Sequence, residues 1–475
     1  MSHAAPSRLP RPISFLFENS IFLIAGTIAA LCWANTDVKS YNDFTHFSIV
    51  GADTHHAHSH DDHKTDSHAQ IPDNQSQADA EHTYHADHDH GDAEHADSTE
   101  AKSNEESGFL TDLKHIIQRP DKTTGHHHGI TIHFLINDIL MALFFATAAG
   151  EVWEALLPGG SLSNPKKAAT PLLATVGGIA GPALLYLGLA AILGETKDYG
   201  AGWAIPCATD IAFTYMVARL IFGSSHPAIA FLLLLAIADD AAGLVILAIF
   251  YPSKAIAPEW FLLTIASMLA CLLLRKLKVQ NFWVYLLGPG LLCWISFDVA
   301  GIHPALGLVP IIPCLPHAHT DLGIYAKEEL NRHDTLNELM HWWKNPIEII
   351  LGLFGLANAG VEFNTLGVGT YLVLFGLIVG KPLGICLFTL LAKGVFKLEI
   401  PSGMTMRHIL LIGIISSIGF TVALFVTTAA FGSSTTQVQD AAKMGALLSF
   451  LGAPLAFIAA RLLRIGPKST TVVSE

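Results

Sequence analysis

Two adjacent aspartates, Asp239 and Asp240, stand at the middle of Ala228–Tyr251, AIAFLLLLAIADDAAGLVILAIFY. An apolar run of about 20 residues suffices to cross a bilayer. Each carboxylate near its centre costs roughly 2.5–3.5 kcal/mol on insertion scales. Packing does not account for two of them, so the pair reads as a cation or proton site at the membrane midplane. The bland alternative is a hydrogen-bonded buried pair in a soluble core, which the lipid-like flanks disfavour.

Other stretches bring matching chemistry. In GWAIPCATDIAF (202–213), Pro206 removes a donor and disfavours helix at Ile205. The helix is therefore expected to break just before Thr209 and Asp210, where an acid compensates an exposed helix N-terminus. In GLIVGKPLGICLF (376–388), Lys381 lies too deep to snorkel and is expected to pair with Asp239 or Asp240. In IISSIGFTVALF (414–425), Ser416, Ser417, Gly419 and Thr421 fit either a weakened helix or a closely packed one. Two interrupted helices in related positions point to a transporter site between inverted repeats.

Neighbours on a helix point about 100° apart, so one aspartate can face an ion while the other faces a partner. Such acids titrate as a coupled set. A hard cation such as Na⁺ wants oxygen ligands and must displace protons to reach them. Competition for the same carboxylates is an exchange mechanism, provided the site opens to one side at a time.

The elements that position these residues are membrane spans. The chain of 475 residues is 51% hydrophobic and 14% charged, an all-α polytopic membrane protein rather than a soluble enzyme. Twelve apolar stretches follow one another: Ile13–Ala34, His133–Gly150, Thr170–Leu193, Trp203–Phe222, Ala228–Tyr251 and Trp260–Leu274, then Phe282–Ser296, Gly301–Cys314, Pro346–Gly360, Thr370–Leu391, His408–Phe431 and Ala442–Leu463. The first is long for a signal peptide and lacks a small-x-small site before Asn35. Six cysteines without CxxC spacing read as small buried hydrophobes.

Basic residues set the orientation. Loops after even spans hold Lys166 and Lys167, Arg275, Lys276 and Lys278, Lys327 and Arg332, and Lys393, Lys397 and Arg407; both termini are basic too. Loops after odd spans carry little beyond Lys197 and Lys254. The positive-inside rule puts both termini in the cytoplasm.

The chain therefore divides into residues 1–48 with the first span, a polar insert at 49–125, the transport core at 126–465 and a tail at 466–475. The insert, rich in His and Asp, holds much of the acid behind the net charge of −13, so that charge says nothing about nucleic acid. It is expected to be disordered and external. His55, His56, His58, His60, His82, His85, His88 and His90 are candidate weak sites for transition metals, a solvated insertion being the plain alternative.

AIPCATDIAF, LAIADDAAGLVILAIFY, LANAGV (356–361), GKPLGI and IGFT, with INDILMALFF, PALLYL and AGIHPALG, together resemble the signatures of the NhaA Na⁺/H⁺ antiporters. The resemblance runs from the first span to the twelfth, the insert excepted. It implies a cytoplasmic-membrane antiporter with crossed, unwound helices 4 and 11, needing no cofactor. Asp239 and Asp240 would carry Na⁺, Li⁺ and protons, with Thr209 and Asp210 at the helix-4 break and Lys381 facing the acids. It also implies electrogenic exchange activated at alkaline pH.

Departures from the family pattern are local. AGEVWEALL keeps Glu151 of the pH-sensing cluster but has Trp153 and Glu154 where a basic pair is usual. Glu338 and His341 fall near other sensor positions, and His303 matches a family histidine and joins them as a candidate for pH sensing, a helix-end histidine with a packing role being the plain alternative. Ser416–Ser417 replaces Cys-Gly, and the insert replaces a short external hairpin that contributes to a homodimer.

Two other functions compete with this reading. A divalent-metal/H⁺ exchanger would use the histidine insert for capture, yet the membrane acids suit hard ions. A passive channel fits poorly with titratable acids opposite a lysine. No GxxxxGK[ST] occurs, so nucleotide-driven pumping lacks support.

Overall fold

A computed structural model describes residues 20–50, 119–120, 127–128, 130–223, 226–317, 334–432 and 436–466. The chain divides into two units, residues 1–49 with 130–475, and residues 50–129. In the second unit, Arg119–Pro120 pairs antiparallel with His127–His128. The histidines at 55–60 and 82–90, and most of the region expected to be disordered, lie outside the described residues, as do Arg8, Arg11, Lys327 and Arg332.

The first unit is a helical bundle. Among the described residues, seven helices are long and apolar enough to cross a membrane, or nine if two bent pairs each count as one span. The continuous ones are Ile132–Leu156 (span 2), Ala168–Leu193 (span 3), Pro227–Phe250 (span 5), Pro258–Lys276 (span 6), Phe282–Ala300 (span 7), Val368–Gly394 (span 10) and Gln437–Leu462 (span 12). Ile21–Thr36 and Pro304–Cys314 are shorter apolar helices at the positions of spans 1 and 8. The helix Thr335–Asn358 lies at the position of span 9, so each of the twelve expected stretches carries helix.

The bent pairs are Thr196–Cys207 with Ile211–Phe222 (span 4, 50°) and Met406–Ile415 with Phe420–Phe431 (span 11, 55°). Span 4 breaks next to Pro206, as the missing donor requires. Span 11 breaks at 416–419, so the weakened-helix alternative describes this segment.

Span 9 corrects the sequence reading. Its helix starts at Thr335, well before Pro346, because Asp334 caps it by accepting the Asn337 amide at 2.8 Å. Pro346 sits inside the helix rather than at its start. The cysteine reading also needs correction. All six are free thiols, but Cys32 is exposed and Cys386 only partly buried.

Spans 3 and 10 form the tightest crossing. A methyl group on Gly384 would collide with the Gly177 carbonyl, and one on Gly181 with the Gly380 carbonyl. Only glycine permits backbones to approach so closely, the small-residue packing typical of membrane helices. Immediately before Lys381, span 10 opens into a π turn over Gly376–Gly380, followed by Pro382. Such turns recur at functional sites. The crossing and the π turn together carry Lys381 into the bundle centre, where it is 0% exposed.

Candidate functional site

Asp239, 4% exposed, is held from two sides. The Lys381 ammonium donates to its Oδ2 at 2.8 Å, and the Thr209 hydroxyl donates to the same oxygen at 2.6 Å. Lys381 also donates to the Cys207 carbonyl at 2.5 Å. Cys207 ends the first half of span 4, so the ammonium meets the negative end of a half-helix. Of the two partners expected for Lys381, the structure selects Asp239.

Asp240 differs from its neighbour. It accepts no side-chain hydrogen bond among the described residues, and with Asp239 it lines a cavity of about 30 Å³. Phe144, Phe145 and Ala148 of span 2, Ala204, Cys207 and Ala208 of span 4, Gly243, Leu244, Ile246 and Leu247 of span 5 and Val422 and Val426 of span 11 supply most of its wall. The volume is that of a water or two, enough for a bare cation. The roughly 100° offset between adjacent residues thus separates a paired carboxylate from one that faces open space.

Asp210 occupies the break itself and joins the two broken spans. Its Oδ1 accepts the Phe213 amide at 3.3 Å, capping the second half of span 4. Its Oδ2 accepts the Thr421 hydroxyl and, at 3.3 Å, the Thr421 amide at the start of the second half of span 11. The Asp210 amide donates to the Ile418 carbonyl at 2.8 Å, satisfying backbone groups at both interruptions. One carboxylate therefore compensates two helix N-termini.

Not every candidate joins this centre. Glu338 and His341 are exposed on the early turns of span 9. Glu151 lies near the end of span 2, within electrostatic reach of Asp240. His303 is elsewhere: its Nδ1 faces Asp138 Oδ1 at 3.8 Å and accepts the Ala305 amide at 3.4 Å, capping the turn that starts at Pro304. Asp138 and Glu151 stand thirteen residues apart on one helix, about 20 Å, so His303 belongs to the opposite end of the bundle. The helix-end role weighed for it from the sequence is the one seen. Ser417 donates to the Ile414 carbonyl at 2.7 Å, and neither it nor Ser416 lines the cavity.

Some contributors went unassigned in the sequence. Thr421 was noted only as a weak point of a helix, yet it ligates Asp210. Asn358, within LANAGV, exchanges two hydrogen bonds with Asn137 at 2.8 and 3.0 Å, tying span 9 to span 2. The signal in both cases was a hydrogen-bonding side chain inside an apolar run. Among the described residues no group of three or more His, Cys, Asp or Glu is arranged to hold a metal ion.

Comparison with known proteins agrees with this architecture. The family described as Na⁺/H⁺ antiporter 1 matches residues 105–462. Na(+)/H(+) antiporter NhaA of Jannaschia sp. (strain CCS1) is 44% identical over 477 residues, 95% of this chain and 98% of its own. Na(+)/H(+) antiporter NhaA of Desulfitobacterium hafniense (strain DSM 10664 / DCB-2) is 48% identical over 458 residues, 96% and 97% of the two chains. The sodium proton antiporter MjNhaP1 from Methanocaldococcus jannaschii superposes with a TM-score of 0.43 at 15% identity over 70% of this chain and 86% of its own, too distant to carry an argument. Proteins of this family are membrane transporters, not enzymes. The chain belongs to the Na⁺/H⁺ antiporter 1 family, with the NhaA antiporters as its relatives.

Proposed function

We propose that this protein exchanges Na⁺ or Li⁺ for protons across the bacterial cytoplasmic membrane, with Asp239 and Asp240 as the shared ion and proton carriers. The observation that carries the reading is the asymmetry of the pair. Asp240 faces the cavity with no hydrogen-bonding partner among the described residues, while Asp239 is held by Lys381 and Thr209. A carboxylate open to a small cavity takes either a proton or a hard cation, not both. When the cation also recruits Asp239, Lys381 loses its counter-charge. More than one proton leaves for each Na⁺, as the family resemblance implies, which makes the exchange electrogenic. Thr209 and Asp210 hold the broken helix open at the site, and no cofactor enters the cycle.

By the distribution of basic loops, both termini face the cytoplasm and the histidine-rich insert faces the periplasm. Glu151, Glu338 and His341 then gather on the cytoplasmic side, where they set the pH response. The insert is a passenger in transport, and the homodimer expected of the family rests on surfaces other than the replaced hairpin.

The test is Na⁺-induced dissipation of a preset pH gradient in everted vesicles across pH 6–9. The wild type and a deletion of residues 54–95 should both respond, and Asp240→Asn should be silent. A chain silent to Na⁺ and Li⁺ but responsive to Zn²⁺ or Ni²⁺, with that response lost on deletion, would replace this reading by divalent-metal exchange.

A further inference from the structure

Glu348 is a carboxylate that nothing above employs. It stands thirteen residues into the 24-residue helix Thr335–Asn358, about 20 Å along its axis and one turn beyond Lys344. Its Oε2 is buried and has no hydrogen-bond partner among the described residues. Ionisable groups buried inside the helix bundle of a membrane protein are rare and mark ion or proton pathways. The groups facing it are few. Asp210 of the span-4 break and Lys344 of its own span act on it electrostatically, and Ser20 of span 1 faces it with a hydroxyl. Span 2 contributes Glu151, which is in reach of the same Lys344. Met340 packs on Gly150, which brings this face of span 9 against the Glu151 end of span 2.

The carboxylates thus form two short series. Glu348 is in electrostatic reach of Asp210, and Glu151 of Asp240, with Lys344 between the outer members. No hydrogen bond links Glu348 to the aspartates among the described residues, so any influence it has on them is through charge.

We propose that Glu348 is a further functional residue of the transport path, a charge-biasing carboxylate on the approach from the Glu151 end. Its negative charge draws cations and protons toward Asp210 and the aspartate pair, and Lys344 moderates that attraction. This deepens the exchange reading and rests on it.

The sign follows from Coulomb's law. A negative neighbour strengthens proton binding at the site and cation binding alike. Glu348→Gln should therefore move the pH of half-maximal Na⁺-dependent exchange downward by about half to one unit, the size expected of one charge removed from the approach in an effective dielectric near 20. At alkaline pH, where protons no longer compete, the apparent KM for Na⁺ should rise about three- to tenfold with little change in maximal rate. Glu348→Asp should stay close to wild type. Lys344→Gln, at an exposed position, should shift the midpoint the other way. Opposite shifts from the two substitutions are not produced by a packing defect.

The measurement is gradient dissipation in everted vesicles, with the amount of protein in the membrane determined for each variant. If the wild type exchanges Na⁺ and both Gln variants keep its midpoint and KM, the charge-bias role is wrong. If Glu348→Gln fails to accumulate, an unshifted Lys344→Gln overturns it equally. A wild type silent to Na⁺ would instead remove the exchange reading itself.

Discussion

Lys381 and Asp239 offer a quantitative test of the site, because each is buried and each has few other partners. Lys381 is 0% exposed and, among the described residues, donates to Asp239 and the Cys207 carbonyl. Lys381→Met keeps the length and removes the charge, leaving the Asp239 carboxylate, among the described residues, with the Thr209 hydroxyl. Breaking a buried ion pair from one side costs about 3–5 kcal/mol, since the survivor stays desolvated without its counter-charge. Asp239→Asn strands the ammonium in the same way. The double variant strands neither, and neutral replacement of both partners is often nearly free. The loss in the double variant should thus fall short of the sum of the singles by about 2–4 kcal/mol. At about 2 °C per kcal/mol or slightly more, each single variant should lower the apparent melting temperature in detergent by roughly 5–10 °C, and the double by clearly less than their sum. Strict additivity of the three shifts would mean that the pair does not act as a unit, and the account of Asp239 as the paired carboxylate would have to be abandoned.

Further consequences can be checked on the same vesicles and purified protein. Thr421→Val removes a hydroxyl from Asp210 and leaves one of its buried oxygens under-satisfied, so it should destabilise by about 1–3 kcal/mol, read by thermal shift, and weaken exchange. Thr209→Val should raise the apparent KM for Na⁺ while Thr209→Ser preserves it, because the hydroxyl on Asp239 is what matters. Gly384→Val drives a side chain into the Gly177 carbonyl and should abolish accumulation in the membrane, whereas a change at the open Gly188 should be tolerated. Asn358→Ala leaves Asn137 without its reciprocal partner and should destabilise by about 1–3 kcal/mol in the same assay.

The charged members of the site were legible in the sequence because bilayer-length apolar runs make any charge conspicuous. Asp210, Asp239, Asp240 and Lys381 all stood out on that ground. Which aspartate takes Lys381 was not legible, since the choice depends on helix rotation, which the crossing at Gly177 and Gly384 and the π turn before Lys381 decide. The break in span 11 could not be separated from close packing, as Gly and Ser serve both; the partner that stabilises it, Asp210, lies some 200 residues earlier in the chain. Glu348 was hidden for a different reason. The sequence reading starts span 9 at Pro346 and does not single out the glutamate two residues later. The cap at Asp334 moves the helix start back and places Glu348 thirteen residues into the helix. His303 is the reverse case, a residue that family likeness sets beside Glu151 and that its approach to Asp138 places about 20 Å away along span 2.

The Lys381–Asp239 pair spans 142 positions of the chain, and synthesis delivers its members in order. At about 5–20 residues per second, span 5 leaves the ribosome roughly 7–28 s before the lysine that will neutralise it. During that interval two carboxylates must be admitted to the bilayer with no ammonium in reach. A third, Asp210, waits longer still for Thr421. Newborn protein must therefore shelter these acids, as neutral protonated groups or against the insertion machinery, until span 10 arrives. A lysine-deficient variant would meet its first difficulty in the nascent chain, before any ion has been exchanged.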